Sequence, residues 1–238
     1  MVTNTLNPQM IKAVLFDMDG VIYDSMPHHA IAWESSMKQY GLHMSRSDAY
    51  RYEGMRGVET IKQLARQQWQ RELTDEEAQE MYDEKSARFA AQGPAQKMPG
   101  VQHLMEFLKS SGITICVVTG SGQHTLLDHL EEEFTGLLHK ELMVTAFDVR
   151  HGKPAPDPYL MGLKKAGVQA DEAIVIENAP LGVRAAKAAG IFCLAVNTGP
   201  LPDQALYDEG ADIVVKTMAE AERFLGTILG ARGKEQGA

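Results

Sequence analysis

Residues 12–20 read KAVLFDMDG, a short apolar run that ends in two aspartates and a glycine. A run of this length followed by a turn signal predicts a buried strand that ends in a loop. Beyond residue 97 such runs alternate with stretches of helical spacing, as in ITICVVTG (113–120), AIVIEN (173–178) and IFCLAVN (191–197). This alternation predicts an α/β fold in which helices flank a parallel sheet.

The region between residues 25 and 96 has a different pattern. Three stretches with helical spacing fill it, and it contains no convincing strand: AIAWESSMKQYGL (30–42), VETIKQLARQQWQREL (58–73) and TDEEAQEMYDEKSARFAAQG (74–93). Thr74 and Glu77 fit a capping box at the start of the last stretch. The sequence therefore predicts a helical cap, residues 25–96, inserted into a core of residues 1–24 and 97–238.

Composition and charge exclude several classes of function. The 238 residues are 44% hydrophobic and carry a net charge of −9, which argues against nucleic acid or an anionic membrane as the main partner. A small anionic substrate is still compatible, because one metal ion can reverse the local field. The sequence shows no stretch of signal-peptide or membrane-span character, and Cys116 and Cys193 lie in apolar runs as expected of buried thiols, so we expect a cytoplasmic protein.

Polar residues follow the predicted strands at the point where each strand ends. They are Asp17, Asp19, Thr119, Lys153, Glu177 and Asn178. Since ligands of parallel sheets bind at the carboxyl ends of the strands, we expect these side chains to meet at one edge of the sheet. The sequence thus predicts a single site assembled from distant parts of the chain.

These residue types suit phosphoryl transfer. The Asp17 carboxylate can attack phosphorus and form an aspartyl phosphate. Lys153 and Mg²⁺ would offset the repulsion between that carboxylate and a phosphate. Oxygens of Asp17 and Asn178, with Glu177 as a further candidate, are ligands that magnesium prefers.

Two further residues complete the predicted chemistry. Asp19 can protonate the leaving oxygen and then activate water, and Gly20 permits the tight turn that directs Asp19 to the substrate. Thr119 and backbone N–H groups at the following helix start can hold phosphate oxygens.

Each motif alone also has a structural explanation. The DxDG of residues 17–20 opens calcium loops, although the later acidic positions of such a loop are missing here. The GSG after Val118 lacks the third glycine of a dinucleotide loop. Lys153–Pro154 occurs in ordinary loops, and Asn178 could simply cap a helix. The order of all four motifs, each at a strand end, favours the catalytic interpretation.

The four motifs DMDGVIYDS (17–25), VVTGSG (117–122), GKPAPDPYL (152–160) and VIENAPLGVRAAKAAG (175–190) resemble those of the haloacid dehalogenase superfamily, in its β-phosphoglucomutase-like branch. The resemblance implies a Rossmann-like core, a mobile cap, and magnesium as cofactor. It also implies the following roles: Asp17 as nucleophile, Asp19 as acid/base, Thr119 and Lys153 on the phosphate with Gly120 beside them, and Asp17, Asp19, Glu177 and Asn178 around the metal.

Several cap positions depart from the mutase pattern. Phosphoglucomutases hold the far phosphate with a cap arginine and a lysine, and this sequence has Gly57 and Gly122 in the matching places. Arg56 is a candidate to replace part of that charge. His29 and Lys85 do match mutase cap positions, and the resemblance places both at the substrate. His29 stands near the start of the first cap helix, so a helix-cap or packing role is an equal alternative for it.

The combination of Glu53, Lys85 and Asn178 resembles bacterial inorganic pyrophosphatases of this superfamily. That resemblance implies that Glu53 reaches from the closed cap to the metal and that the substrate is pyrophosphate. The physical logic is that neutral Asn178 removes one negative charge, which Glu53 restores only on closure. In the structural alternative, Glu53 is exposed and pairs with Arg51 or Arg56.

Three classes of function therefore remain open. The first is a hydrolase acting on pyrophosphate or on small sugar phosphates, and the second is a phosphoglucomutase. The third is a signalling receiver, which also places Asp, Thr and Lys around magnesium. A receiver is about half this length and has no inserted cap, so it ranks last. The expected partner is a small phosphorylated molecule.

Overall fold

The computed structural model describes residues 7–121 and 124–230. Six parallel strands form one sheet: β1 (Ala13–Phe16), β2 (Thr114–Val118), β3 (Met143–Val144), β4 (Ala173–Glu177), β5 (Phe192–Val196) and β6 (Ile213–Val215). Their order across the sheet is β3-β2-β1-β4-β5-β6, with β1 next to the centre. The prediction of a parallel sheet flanked by helices is confirmed.

Within the described residues, ten α-helices accompany the sheet. Four lie between β1 and β2 in the region predicted as the cap: α1 (Met26–Gln39), α2 (Arg46–Arg51), α3 (Gly57–Trp69) and α4 (Asp75–Ala90). The others in the described part of the chain are α5 (Val101–Ser110), α6 (His124–Glu133), α7 (Asp157–Ala166), α8 (Pro180–Ala188), α9 (Gln204–Tyr207) and α10 (Met218–Gly230). None of these helices is long and apolar enough to span a membrane.

The strand period of two divides the core into two apolar layers. Val14 and Phe16 face α5 and α10, whereas Ala13 and Leu15 face α7 and α8. Such burial on both faces explains why β1 reads as an unbroken apolar run. Both cysteines are buried, unpaired thiols in β2 and β5.

Two local features show how the sequence positions the ends of elements. The predicted capping box is present, since Glu77 N donates to Thr74 Oγ1 and Thr74 N donates to the Glu77 carboxylate, at 3.2 and 2.9 Å. The strand expected in ELMVTAF is shorter than its apolar run. Lys140–Leu142 form a 3₁₀ turn and only Met143–Val144 pair with β2.

The cap helices pack around an apolar cluster of their own. Trp33, Met37, Ile61, Leu64 and Met81 are among its buried members. The two chain segments that join cap and core run side by side, because Asp24 N donates to Gln96 O and Met98 N donates to Ile22 O, both at 2.8 Å. This packing supports the proposed division at residues 25 and 96.

The register of the strands brings the predicted site residues to one edge of the sheet. Phe16 pairs with Val117 of β2 and with Ile176 of β4. The next residue, Asp17, therefore lies level with Val118 on one side and Glu177 on the other. The cap covers this edge.

Candidate active site

A buried lysine joins two buried carboxylates at the end of β1. Lys153 Nζ donates to the Asp17 carboxylate, to Glu177 Oε1 at 2.6 Å and to the Val118 carbonyl at 3.3 Å. The exposed fractions of the Lys153 and Asp17 side chains are 1% and 8%. A single cation thus lies between the predicted nucleophile and a second carboxylate, away from solvent that would screen it.

Both oxygens of the Glu177 carboxylate accept hydrogen bonds from the protein. Its Oε1 accepts from Lys153 and from the Tyr159 hydroxyl at 2.8 Å. Its Oε2 accepts from the backbone N–H groups of Asn178 and Ala179, at 2.9 and 3.1 Å. These contacts favour a role in holding Lys153 over the predicted role of Glu177 as a magnesium ligand.

Burial opposes the charge on Asp17, the predicted nucleophile. Burial raises the pKa of Asp17 above its usual range, and repulsion from Glu177 and Asp19 adds to this effect, although Lys153 acts in the opposite direction. The attraction of the two carboxylates outweighs burial at Lys153 and raises its pKa, so it stays charged. A further cation beside Asp17 would favour the ionised form, which the predicted nucleophilic role requires.

The residues around Asn178 fit a magnesium ion. Asn178 Oδ1 is buried and has no hydrogen-bond partner in the described part of the chain, whereas its Nδ2 donates to Glu53 Oε1 at 3.0 Å. A side chain at Gly20, where φ is +77°, would begin 2.1 Å from Asn178 Nδ2, so this amide packs directly on the turn after Asp17. An unpaired buried acceptor beside a carboxylate is a setting that a hard cation satisfies.

The oxygen atoms available to a metal ion belong to both charged and neutral side chains. Within residues 7–121 and 124–230, no cluster of three or more His, Cys, Asp or Glu side chains surrounds a metal position. A site here would combine the Asp17 carboxylate with the neutral Asn178 oxygen, and the Glu53 carboxylate of the cap bonds the same amide group. Magnesium binds such sets of hard oxygens and usually keeps several waters.

The Asp19 carboxylate is held by donors on the cap side. Its Oδ1 accepts from Ser25 Oγ at 2.6 Å and lies 3.3 Å from His29 Nε2. Burial raises the pKa of Asp19, but His29, Ser25 and Lys85 together outweigh burial and lower it to about 2. Asp19 is thus ionised at neutral pH, which is the form that can accept a proton. This state fits the base part of its predicted acid/base role, and its predicted metal contact stays a prediction.

His29 and Lys85 form a buried pair behind Asp19. Lys85 Nζ lies 2.6 Å from His29 Nδ1, and burial lowers the pKa of Lys85 to about 8. The ammonium lies 5.0 Å from the Trp33 ring centre and 5.2 Å from that of Phe89, within the range of cation–π attraction. The structure therefore brings both predicted cap residues to the site.

Glu53 and Arg56 have partners that distinguish the alternatives left open by the sequence. Glu53 is 8% exposed and bonds Asn178, so its interpretation as an exposed residue paired with Arg51 or Arg56 is wrong. Arg56 Nη2 donates to the carbonyls of Ala146 and Val149, at 2.9 and 2.5 Å. The expectation that Arg56 replaces a substrate-binding cation is therefore wrong as well.

The positions around the phosphate motif are closely packed. Thr119 is buried, and its Oγ1 accepts from Ser121 N at 3.0 Å. A side chain at Gly57 would begin 2.0 Å from the Tyr82 ring, which therefore fills the place where a mutase carries its arginine. Gly122 lies outside the described residues.

A cavity of about 250 Å³ lies between cap and core. Asp17, Asp19, His29, Glu53, Lys85 and Gly120 line it. Among its described lining residues, Lys85 is the one lysine, and there is no arginine. A single cation on the cap side suits one anionic group beyond the transferred phosphoryl group.

Two residues of the site were not predicted from the sequence. Ser25 donates to the Asp19 carboxylate, and Tyr159 donates to the Glu177 carboxylate that holds Lys153. Both lie inside quoted motifs. However, a hydroxyl in a loop or in the first turn of a helix carries no sequence signal for its direction.

Comparisons with known proteins identify the family of this chain. Residues 14–196 match the family model for haloacid dehalogenase-like hydrolases. The chain is 29% identical over 186 residues to hexitol phosphatase A of Escherichia coli, covering 78% of this chain and 83% of that protein. It is 30% identical over 212 residues to a phosphorylated carbohydrates phosphatase of Thermotoga maritima, covering 87% and 94%.

A solved structure extends the comparison to the whole fold. A candidate beta-phosphoglucomutase from Bacteroides vulgatus is 48% identical, superposes with a TM-score of 0.90, and covers 94% of this chain and 91% of its own. The resemblance seen in the four motifs is thereby confirmed. The chain belongs to the haloacid dehalogenase-like hydrolase family, among its phosphatases and β-phosphoglucomutase-like members.

Proposed function

We propose that this enzyme is a magnesium-dependent phosphohydrolase that works through an aspartyl phosphate on Asp17, and that its substrate is inorganic pyrophosphate. The observation that carries the substrate proposal is the buried contact between Glu53 of the cap and Asn178 of the core. Asn178 is neutral, so the metal position has one negative charge fewer than a paired Asp would give. Burial and repulsion from Asp17 raise the pKa of Glu53 well above its usual range, and a cation held beside Asn178 would favour its ionised form. Glu53 therefore supplies that charge from the cap only together with the metal, which couples closure to metal and substrate.

The chain's own residues account for both steps of hydrolysis. Asp17 attacks phosphorus, a bond forms between its carboxylate and the phosphoryl group, and the bond to the leaving oxygen breaks. Asp19 then accepts a proton from the water that attacks the aspartyl phosphate, which releases phosphate and restores Asp17. Lys153 supplies fixed positive charge throughout. Magnesium, when held by Asp17 and Asn178, adds the charge that lets two anions approach.

The state of Asp19 favours an acidic leaving group. With a pKa lowered to about 2, Asp19 is a poor source of a proton at neutral pH. A sugar alcohol needs that proton to depart, whereas a leaving phosphate departs readily as an anion. Lys85 and His29 lie beside Asp19, where they can receive the anion.

Sugar-phosphate hydrolysis is the second candidate. The related hexitol and carbohydrate phosphatases favour it, and aromatic walls formed by Trp33 and Phe89 offer apolar surface for a sugar. A mutase reaction has less support, because it needs a second phosphate site. Tyr82 fills the matching arginine position, and the described lining residues include no arginine.

A substrate panel tests the proposal. With magnesium, we expect kcat/KM for pyrophosphate to exceed that for any hexose phosphate at least about tenfold, and chelation with EDTA to abolish turnover. Phosphate release is the readout for each substrate. A hexose phosphate that is turned over better would replace pyrophosphate, and comparable conversion of β-glucose 1-phosphate to glucose 6-phosphate would remove the preference for a hydrolase.

Removing the cap carboxylate tests the role of Glu53. In Glu53→Ala we expect kcat/KM for pyrophosphate to fall about 10–100-fold, and the magnesium concentration for half-maximal rate to rise, as is typical when a group supporting a metal is lost. Glu59→Ala is the matched control, because Glu59 is an exposed carboxylate on α3. Unchanged pyrophosphate turnover and magnesium dependence in Glu53→Ala would eliminate the proposed role.

The pH dependence of turnover tests Lys85. Because burial lowers the pKa of Lys85 to about 8, its side chain is cationic below that pH and neutral above it. We expect kcat/KM for pyrophosphate to decrease above pH 8, by up to about tenfold per pH unit. Lys85→Met should be slow at neutral pH and lack this decrease, whereas Lys38→Met, which changes an exposed lysine of α1, should retain it. A decrease that persists in Lys85→Met assigns the titration to another group.

A further inference from the structure

The cap segment Tyr50–Arg56, here called the cap strap, crosses the carboxyl ends of the core strands. Its first residue, Tyr50, packs on the loop after β5, where a side chain at Gly199 would begin 2.8 Å from the tyrosine ring. Glu53 bonds Asn178 after β4. Gly54 packs against Lys153, because a side chain added at Gly54 would begin 3.1 Å from Lys153 Cδ.

Arg56 fastens the far end of the cap strap. Its Nη2 donates to the carbonyls of Ala146 and Val149 in the loop after β3, at 2.9 and 2.5 Å. The same loop continues to Lys153. The guanidinium thus connects the cap to the segment that delivers the site's fixed cation.

The loop that receives Arg56 is itself held firmly. Asp148 Oδ2 accepts from Thr145 N at 2.8 Å, and Asp148 Oδ1 accepts from Lys165 Nζ at 2.7 Å. A charged donor on two carbonyls of a fixed loop is a strong and directional contact. The stem of Arg56 passes over Gly152, where a side chain would begin 2.9 Å from Arg56 Cγ, so only glycine leaves room for it.

We infer that Arg56 is a positioning residue that clasps the cap strap to the Lys153 loop and so sets the fraction of enzyme that is closed. Arg56 does not line the cavity, so it acts through Glu53 and Lys153 rather than on the substrate. Without the clasp the closed state is less populated, and part of the binding free energy of the substrate is used to close the cap. This inference does not depend on which phosphate ester or anhydride is the substrate.

Kinetics and hydrogen exchange on the full-length Arg56→Ala enzyme test the clasp. With magnesium and para-nitrophenyl phosphate, we expect KM to rise roughly tenfold while kcat stays within about threefold, because only the competent fraction changes. In the absence of substrate, amides of residues 50–57 and 145–153 should exchange faster and those of α4 should not. Arg56→Lys should have a KM and exchange rates between those of the wild type and those of Arg56→Ala. Arg51→Ala, which changes an exposed arginine of α2, should match the wild type.

A double-mutant cycle with Gly152 isolates the contact. Gly152→Ala should displace the Arg56 stem and raise KM in the wild-type background. In the Arg56→Ala background the added methyl group has no arginine to meet, so it should change KM less than about twofold. Strict additivity of the two substitutions would mean that Gly152 and Arg56 do not act together, which contradicts the clasp.

Two other outcomes would overturn the inference. If KM and exchange in residues 145–153 are unchanged in Arg56→Ala, the contact has no role in closure. If kcat falls together with faster exchange throughout α1–α4, Arg56 only stabilises the cap. The exchange measurements need no substrate, so failure of the pyrophosphate proposal would leave them interpretable.

Discussion

We expect Asp17→Asn to lose phosphate release from every substrate, with kcat lowered at least about a thousandfold. The amide cannot attack phosphorus, and it also removes the carboxylate that Lys153 Nζ bonds. Phosphate release measured with magnesium in excess gives the rate. Mass spectrometry of enzyme quenched during turnover should find one added phosphoryl group on the wild-type chain, and none on the variant.

Asp24→Asn is the matched control for this experiment. Asp24 lies in the same loop after β1, but its side chain is exposed. We expect its activity to remain within about twofold of wild type, as for most exposed substitutions away from the chemistry. Residual activity of Asp17→Asn above about one per cent of wild type would show that another residue is the nucleophile.

Lys153→Met is expected to lose both activity and stability. The substitution leaves Asp17 and Glu177 buried without their shared cation, and breaking a buried ion pair in this way costs about 3–5 kcal/mol. For a chain of this size that corresponds to a melting temperature lower by roughly 6–20 °C. Turnover should fall at least about a hundredfold, because the fixed positive charge on the transferred phosphoryl group is lost.

Two comparisons separate the effects on chemistry and on folding. Lys164→Met changes an exposed lysine of α7 and should alter neither quantity. Lys153→Met combined with Glu177→Gln removes one of the unpaired charges, so it should regain part of the stability without regaining turnover. A Lys153→Met enzyme that melts like the wild type would contradict the buried charge cluster.

Much of the fold could be read from local patterns. The apolar runs before Asp17, Thr119 and Glu177 are strands because buried parallel strands need apolar residues on both faces. Their polar ends meet at one edge because parallel strands all terminate there. The prediction of β3 was less accurate, since only two residues of its apolar run pair with β2 and the preceding residues form a 3₁₀ turn.

The direction of cap side chains could not be read in the same way. Arg56 was expected near the substrate and instead bonds the Ala146 and Val149 carbonyls. The resemblance placed Glu53 near the metal, but only the fold shows that it bonds Asn178, a residue 125 positions away. Both contacts depend on how the cap rests on the core, which no local pattern encodes.

The residue types that gather at the edge of the sheet follow from the sequence alone, because strand ends and turn glycines are local properties of the chain. The partner that each of these side chains takes depends on the folded structure. It assigned the Glu177 carboxylate to Lys153 and Tyr159, and it left the Asn178 oxygen unpaired. The physical reason is that a buried polar atom bonds whatever the fold brings within about 3 Å, and that distance is set by packing between segments far apart in the chain.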